Sequence, residues 1–487
     1  MSNLSAVFSQ IPSEDIKRAM QLKNQGNKLL LEKSFSEAIK LYSQAIELDP
    51  TKAVYFTNRA YAYINLESYR LAIEDASKAI SIDPSYLKAY YRRAIAYTAT
   101  LRHSDALKDY CTIIKHIPND FETRKKAIEC EKIIRRIKFE KAIDVGEEPS
   151  ATEGIDFDAI VIKDDYDGER LGENMTLEFI NDMVSRFSNG KKIHLKYVYQ
   201  IILSIKKILS LEPTMIEIDI KSDHILTICG DIHGQYFDLL EIFRLNGKPS
   251  ETNRYLFNGD FVDRGSWSTE VALLLYAYKW LYPTGIFLNR GNHETDDMNK
   301  IYGFEGECKS KYTERTFKLF SESFNCLPLA TLIGRTYLVI HGGLFSDDNV
   351  TLNDIRNIDR ISKKQPGNTG LMMEILWTDP QSSLGRGPSK RGVGLQFGPD
   401  VTKKFVEANN LKAIIRSHEV KPNGYEVEHN GCCITVFSAP NYCDTQGNKG
   451  AYIRIGPDLE LEFKTFDAVP HPNIPPMKYA TGLISIM

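Results

Sequence analysis

An α+β multidomain fold is predicted for this chain, with an all-α superhelix on the N-terminal side and an α/β domain after it. Three observations carry the prediction. The chain has 487 residues, more than one hydrophobic core usually organises. Its front shows a helical pattern repeating every 34 residues, and its second half is a series of short apolar runs, each ending in a polar cluster. With 42% hydrophobic and 26% charged residues the chain reads as ordinary globular protein. A net charge of -3 gives no global attraction to nucleic acid or membrane.

The opening MSNLSAVFSQ has neither the basic start nor the apolar stretch of a secretory signal, and no later run reaches about 18 apolar residues. The 8 cysteines are scattered without CxxC spacing. Reduced thiols in an intracellular protein, cytoplasmic or nuclear, are therefore expected, with no cysteine zinc site. A monomer is expected.

Pro50, Pro84 and Pro118 are 34 residues apart, and so are Ala38, Ala72 and Ala106. Gly26, Ala60 and Ala94 form a third column of small residues where two helices would cross closely. Each unit reads as two amphipathic helices closed by a proline, which removes a donor and stops the second helix. Such a unit cannot bury its apolar stripe alone, so stacking is required and leaves a concave groove. The pattern resembles the tetratricopeptide repeat. It places a repeat domain at 14–141, with three repeats and a basic capping helix from Phe121 to Lys141. In similar repeat domains, positions matching Lys23, Asn27, Asn58, Lys88 and Arg92 clamp the acidic C-terminal tail of heat-shock protein 90 family chaperones. Amides and cations are the donors that a desolvated carboxylate needs.

From Asp144 to Met175 there are eleven acidic residues against two basic ones, with few apolar positions in any period. Residues 142–173 read as an acidic linker, either a solvated tether or a segment laid on a basic surface. The catalytic domain is placed at 174–487, including a C-terminal regulatory segment.

In that domain, His224–Cys229 leads to GDIHG, Tyr255–Asn258 to GDFVDRG and Gly285–Asn289 to RGNHE; Thr336–Ile340 leads to HGG and Lys412–Ile415 to RSHE. Runs of this length and composition read as buried strands, whose carboxyl ends converge on one sheet edge. The polar residues there include Asp231, His233, Asp260, Asn292, His341 and His418. Two carboxylates, an amide and three imidazoles suit a pair of borderline divalent transition ions. Calcium would prefer oxygen alone, and structural zinc would recruit thiolates. The expected arrangement has Asp260 between the ions, Asp231 and His233 on one, and Asn292, His341 and His418 on the other.

The motifs GDIHG, GDFVDRG, GNHE, HGG, RSHE and SAPNYC, in this order, resemble those of the phosphoprotein phosphatase family of serine/threonine phosphatases. The similarity runs from about Asn174 to the C-terminus and implies a metallophosphoesterase domain, a central β-sandwich flanked by helices. Two departures, Asn289 before RGNHE and Ile232 within the first motif, touch no expected ligand. The implied activity is hydrolysis of phosphoserine and phosphothreonine in phosphoproteins by hydroxide that two ions activate, with manganese or an iron–zinc pair as cofactor. It further implies that Arg264 and Arg391 fork onto the phosphoryl oxygens, that His293 is the general acid oriented by Asp263, and that Tyr442 lines the phosphate pocket. A cysteine mechanism is disfavoured, because the place of the arginine in a C-x5-R loop after Cys308 holds Glu314. Diester hydrolysis and an inactive scaffold are the rival readings. The resemblance also implies autoinhibition by the repeat domain, with Glu67 at the position of the blocking acid.

Overall fold

The computed structural model describes residues 13–142 and 149–480. The first residues of the expected linker, 143–148, and the end of the expected C-terminal segment, 481–487, lie outside the described residues. The described residues divide into two compact units, one formed by 13–142 with 389–393, the other by 149–388 and 394–480.

In the first unit, helices α1 (Ser13–Leu31), α2 (Phe35–Leu48), α3 (Ala53–Asn65), α4 (Tyr69–Ile82), α5 (Leu87–Ala99) and α6 (His103–His116) form three pairs, followed by α7 (Phe121–Ala142). Each second helix stops two residues before its proline. Asp49 and Asp83 then close the turn by accepting from Thr51 and Ser85. Ala38, Ala72 and Ala106 are fully buried, as are Ala60 and Ala94 at the crossings. At Gly26 a Cβ would come within 2.8 Å of the Tyr42 ring, so the first pair can pack at this distance only with glycine there.

A further column with the same period emerges only in three dimensions. Arg59 binds both carboxylate oxygens of Asp75 at 2.7 and 2.8 Å and Ser43 at 2.8 Å. Arg93 repeats this with Asp109 at 2.8 Å and Ser77 at 3.1 Å. Burial raises the Asp75 carboxyl above its usual range despite the guanidinium. These pairs therefore fix the register of neighbouring helices more than they add stability.

The second unit is built on strands β1 (Met215–Ile218), β2 (Ile225–Cys229), β3 (Asn253–Asn258), β4 (Ile286–Asn289), β5 (Ala330–Ile333), β6 (Tyr337–Ile340), β7 (Asp379–Pro380), β8 (Arg386–Pro388), β9 (Leu395–Phe397), β10 (Ala413–Arg416), β11 (Tyr425–Glu428), β12 (Cys433–Val436), β13 (Gly450–Ile455) and β14 (Leu461–Phe466). One sheet has the order β1-β5-β6-β10-β12-β11, a second β14-β13-β2-β3-β4, and β7, β9 and β8 form a small third. The two large sheets share a core that includes Leu226, Ile228, Leu256, Val339, Ile415 and Val436. Their outer faces are covered by helices: Tyr255, Phe257 and Leu288 pack under the helices 195–211 and 268–281, and Leu338, Ile340 and Ile414 under 371–377 and 399–408. Alternation in β3 sends Leu256 and Asn258 inward and Tyr255 and Phe257 outward. The result is a β-sandwich between helical layers, the architecture that the motifs implied.

One expectation changes here. The reading of converging strand ends supposed a single sheet edge, whereas β2, β3 and β4 belong to one sheet and β6 and β10 to the other. The site lies where the carboxyl ends of two facing sheets meet.

The acidic segment is also more than a solvated tether over its described part. Ile155, Phe157, Ile160, Ile162 and Tyr166 pack against the helical core. Ser150 and the Ala151 amide donate to Glu322, and Asp167 pairs with Arg186 at 2.7 Å and Lys191 at 2.6 Å. Its apolar residues lie on a succession of turns and irregular backbone, which neither a helical nor a strand period detects. No helix among the described residues is long and apolar enough to cross a membrane.

Candidate active site

Strands β2, β3 and β10 hand their loops to the site through sharp turns. His233, Asp260, Asp263, Arg264 and His418 have φ of 47, 52, 70, 68 and 71°, in the left-handed region. Such backbone costs about 1 to 3 kcal/mol per residue and persists only where surrounding bonds enforce it. Glu294 supplies much of that enforcement. Its carboxylate accepts the amides of Asp260, Phe261 and Gly291, each at 2.8 Å, clamping the β3 and β4 loops together. Gly259 permits this approach, since a Cβ there would sit 2.4 Å from the Gly291 nitrogen.

Below these loops, polar residues stitch the two sheets. Asn258 donates to the Ile340 carbonyl at 2.7 Å and to Ser417 at 2.9 Å. Asn289 donates to Asn258 at 2.9 Å and accepts from Thr331 at 2.8 Å. Asn289, the departure from the family pattern, thus has a structural role between the sheets. The only hint in the sequence was an asparagine closing each of two apolar runs.

The imidazoles are oriented from behind. His233 Nδ1 donates to the Val262 carbonyl at 3.0 Å, His341 Nδ1 to the Asn258 carbonyl at 2.8 Å, and His418 Nδ1 to Asp379 at 3.0 Å. In each ring the lone pair is left on Nε2. His233 Nε2 lies 3.4 Å from Asp260 Oδ2 and 3.6 Å from Asp231 Oδ2, and His341 Nε2 lies 3.4 Å from Asp260 Oδ2. The His418 ring is centred 5.2 Å from that of His341, and its amide donates to Asp231 at 3.1 Å. Asp379 is held in turn by the buried Arg416 at 2.7 Å. Asp379 was not singled out from the sequence, because β7 is too short to leave a pattern, whereas Arg416 opens the RSHE motif at the end of β10.

This donor set fits cations. Ligand atoms of Asp231, Asp260 and His341 lie within 4.8 Å of one another, as do those of His233, Asp260 and His293. The inward atom of the Asn292 amide sits 2.8 Å from His341 Nε2 and 3.0 and 3.2 Å from the two Asp260 oxygens. With nitrogen inward it donates to all three; with oxygen inward it is an acceptor among acceptors, an arrangement that a shared cation makes favourable. Burial and neighbouring Asp260 push the Asp231 carboxyl up to about 8. Nearby His341 and Arg416 oppose that rise without overcoming it, so two adjoining carboxylates stay ionised at neutral pH only with more positive charge close by.

Beside the cluster, His293 Nδ1 meets Asp263 Oδ2 at 2.9 Å, and its ring is centred 4.7 Å from that of His233. Asp263 also accepts from Asn299 and from the Phe304 amide, each at 2.9 Å, and burial raises its carboxyl to about 7. Tyr442 lies over His233 with ring centres 5.2 Å apart. The Arg264 guanidinium stacks 3.9 Å from the Tyr302 ring centre, and its carbonyl accepts from the Met477 amide at 2.7 Å. Arg391 belongs to the short stretch that groups with the repeat unit. There its Nη1 donates to Glu67 Oε2 at 3.1 Å, while Arg70 donates to the Ser389 and Lys390 carbonyls.

Of the expected clamp residues, Asn27 and Asn58 touch. Asn27 Oδ1 accepts from Asn58 Nδ2 at 2.9 Å and from the Tyr42 hydroxyl at 2.7 Å. The Arg92 guanidinium lies 3.9 Å from the Tyr61 ring centre. Lys23 is half-buried one turn before Asn27, and Lys88 is exposed one turn before Arg92.

A β-sandwich whose loops converge imidazoles, carboxylates and an amide defines a metallophosphoesterase. Residues 225–422 match the calcineurin-like phosphoesterase family, residues 53–86 the tetratricopeptide repeat, and residues 127–217 the PPP5 TPR repeat region. Over 98% of its length the chain is 63% identical to serine/threonine-protein phosphatase T of Aspergillus oryzae, covering 99% of that protein. It is 51% identical to human serine/threonine-protein phosphatase 5 over 97% of this chain and 95% of that one. A solved serine/threonine phosphatase structure from Saccharomyces cerevisiae, 51% identical, aligns with a TM-score of 0.61 over 63% of this chain and all of that one. The chain belongs to the phosphatase 5/T family of serine/threonine-protein phosphatases.

Proposed function

We propose that this phosphatase hydrolyses phosphoserine and phosphothreonine at the cluster around Asp260, and that its repeat unit both restrains and recruits it. The observation that carries the catalytic part is the convergence of Nε2 lone pairs and carboxylates on one point between two sheets. Asp231 and His233 would hold one divalent ion, Asn292, His341 and His418 another, with Asp260 between them. Manganese or an iron–zinc pair suits these ligands. When bound, such ions supply Lewis acidity, lowering the pKa of water and neutralising phosphoryl charge.

The protein's own groups do the rest. Arg264 and Arg391 bind phosphoryl oxygens and hold the phosphorus open to in-line attack by water, and Tyr442 closes the pocket over His233. As the ester P–O bond breaks, His293 gives its Nε2 proton to the departing serine or threonine oxygen. Asp263 keeps Nδ1 protonated, so Nε2 is the atom that carries the mobile proton.

Two features support regulation. The Glu67 carboxylate occupies Arg391, an anion where a phosphoryl group would bind, which suits autoinhibition. The joined Asn27 and Asn58 amides, with Lys23, Lys88 and Arg92, suit the carboxylates of a heat-shock protein 90 family tail. A cytoplasmic or nuclear location is part of the same proposal.

Metal analysis of protein purified without added ions, alongside phosphopeptide hydrolysis with and without manganese, tests the catalytic reading. Two bound ions and phosphate release are expected. Wild-type activity after His341→Ala or Asp260→Asn would overturn it. For recruitment, calorimetry should detect a chaperone-tail peptide with a free C-terminal carboxylate and not its amide.

A further inference from the structure

A cavity of about 390 Å³ opens beside the phosphate site, within the catalytic unit. Three of the site's own loops line it: residues 235–238 follow His233, 265–267 follow Arg264, and 440–444 bracket Tyr442. The fourth wall is the segment 468–471 beyond β14. This volume lies at the small end of ligand pockets and has room for one long side chain with a few waters.

The walls have a definite chemistry. Phe237 and Trp267 meet edge to face at 5.3 Å, and His471 stands against Trp267 at 5.1 Å. Asp238 forms a buried floor, bonded by the Val469 amide at 3.0 Å and Gln235 at 2.8 Å. Exposed Asp444 stands at the rim, where His471 Nε2 meets it at 3.2 Å. Two carboxylates against one imidazole leave the cavity negative, and the aromatic faces add the quadrupole that attracts cations. An apolar side chain would satisfy the rings and leave the carboxylates facing it.

We propose that this cavity takes a lysine or arginine side chain of the phosphoprotein substrate, close in sequence to the phosphorylated residue. The inference rests on the reading that the substrate phosphate sits beside Arg264 and Tyr442, since only then does a neighbouring side chain reach the cavity. The cation's head group lies against the Trp267 face and displaces His471 from Asp444. The phosphatase thereby favours basic phosphorylation sites, a preference that the phosphate-binding groups alone do not supply.

The test uses the full chain and an alanine-rich phosphoserine peptide in which one lysine is moved from four residues before the phosphoserine to four after it. At one or two positions lysine should raise kcat/KM by about tenfold over alanine, mainly through KM. Asp444→Asn and Trp267→Leu should each remove most of that gain. Both variants should hydrolyse p-nitrophenyl phosphate, which has no flanking residue, at the wild-type rate. No gain at any position, a larger gain from leucine, or a gain retained in both variants overturns the proposal. So does a fall with p-nitrophenyl phosphate as large as that with the lysine peptide, because the residues would then act on the phosphate site. Wild-type hydrolysis of p-nitrophenyl phosphate tests the phosphate site by itself, so failure of that reading is seen separately.

Discussion

Replacing Glu67 with alanine should release the enzyme, and the expected size follows from its contact with Arg391. The two side chains meet in a charged hydrogen bond of 3.1 Å and are 21% and 14% exposed. An exposed ion pair contributes at most about 1 kcal/mol and a buried charged hydrogen bond about 1.5 to 3. A value near 1.5 kcal/mol, about tenfold in an equilibrium, is therefore the ceiling for release by this substitution. Full-chain initial rates on p-nitrophenyl phosphate should rise several-fold in kcat for Glu67→Ala. They should rise less for Glu67→Gln, which keeps a neutral acceptor. Arg70→Ala, which loses its side chain's bond to the Ser389 carbonyl and its pairing with Glu74 but leaves the Glu67–Arg391 contact in place, should activate more weakly still. Unchanged turnover in Glu67→Ala, with wild-type circular dichroism, would refute the assignment of Glu67 as a restraint and leave the catalytic chemistry untouched.

Other perturbations probe separate parts of the molecule. Asp263→Asn removes the anion that stabilises a protonated His293, a charged hydrogen bond of about 2 to 3 kcal/mol; kcat should fall roughly 30- to 150-fold with KM and metal content unchanged, and a loss under fivefold would exclude the orienting role. Asp75→Ala strands Arg59 and should cost about 2 kcal/mol in urea unfolding of the repeat unit, whereas Arg59→Met with Asp75→Leu should recover most of it. Burial raises the Asp238 carboxyl to about 6, above its unfolded value near 3.9. The folded state thus holds this proton more tightly, so the stabilisation is fully present below about 3.9 and is lost as pH rises through 6. Between pH 4 and 7 Asp238→Asn should gain about 2 kcal/mol on the wild type, and a pH-independent difference would show that Asp238 is not perturbed.

The candidate site residues were legible because each lies in the chain beside its reason for being there. A short apolar run fixes a strand, a glycine fixes the turn, and the ligand follows within a few positions. Repetition made the helical unit legible in the same way, since Gly26, Ala60 and Ala94 report the same crossing three times. Residues acting through space left fainter traces. Asp379 orients His418 from a two-residue strand, and Glu294 clamps two loops through backbone amides that no pattern reveals. The segment from Ile155 to Tyr166 looked like a linker because its apolar residues are carried on successive turns with no regular period.

The sequence by itself determined the chemistry: which side chains are available, at which strand ends, and that the helices in front come in three related pairs. Local periodicity and turn propensity are short-range properties, and they are written in consecutive residues. Only the tertiary structure decided that the candidate ligands come from two facing sheets joined by Asn258 and Asn289, which imidazole nitrogen faces the cluster, and that Arg391 meets Glu67, 324 positions away. It also decided that loops following His233, Arg264 and Tyr442 enclose an acidic, aromatic cavity. Those outcomes depend on which distant segments become neighbours, and a linear pattern does not record that.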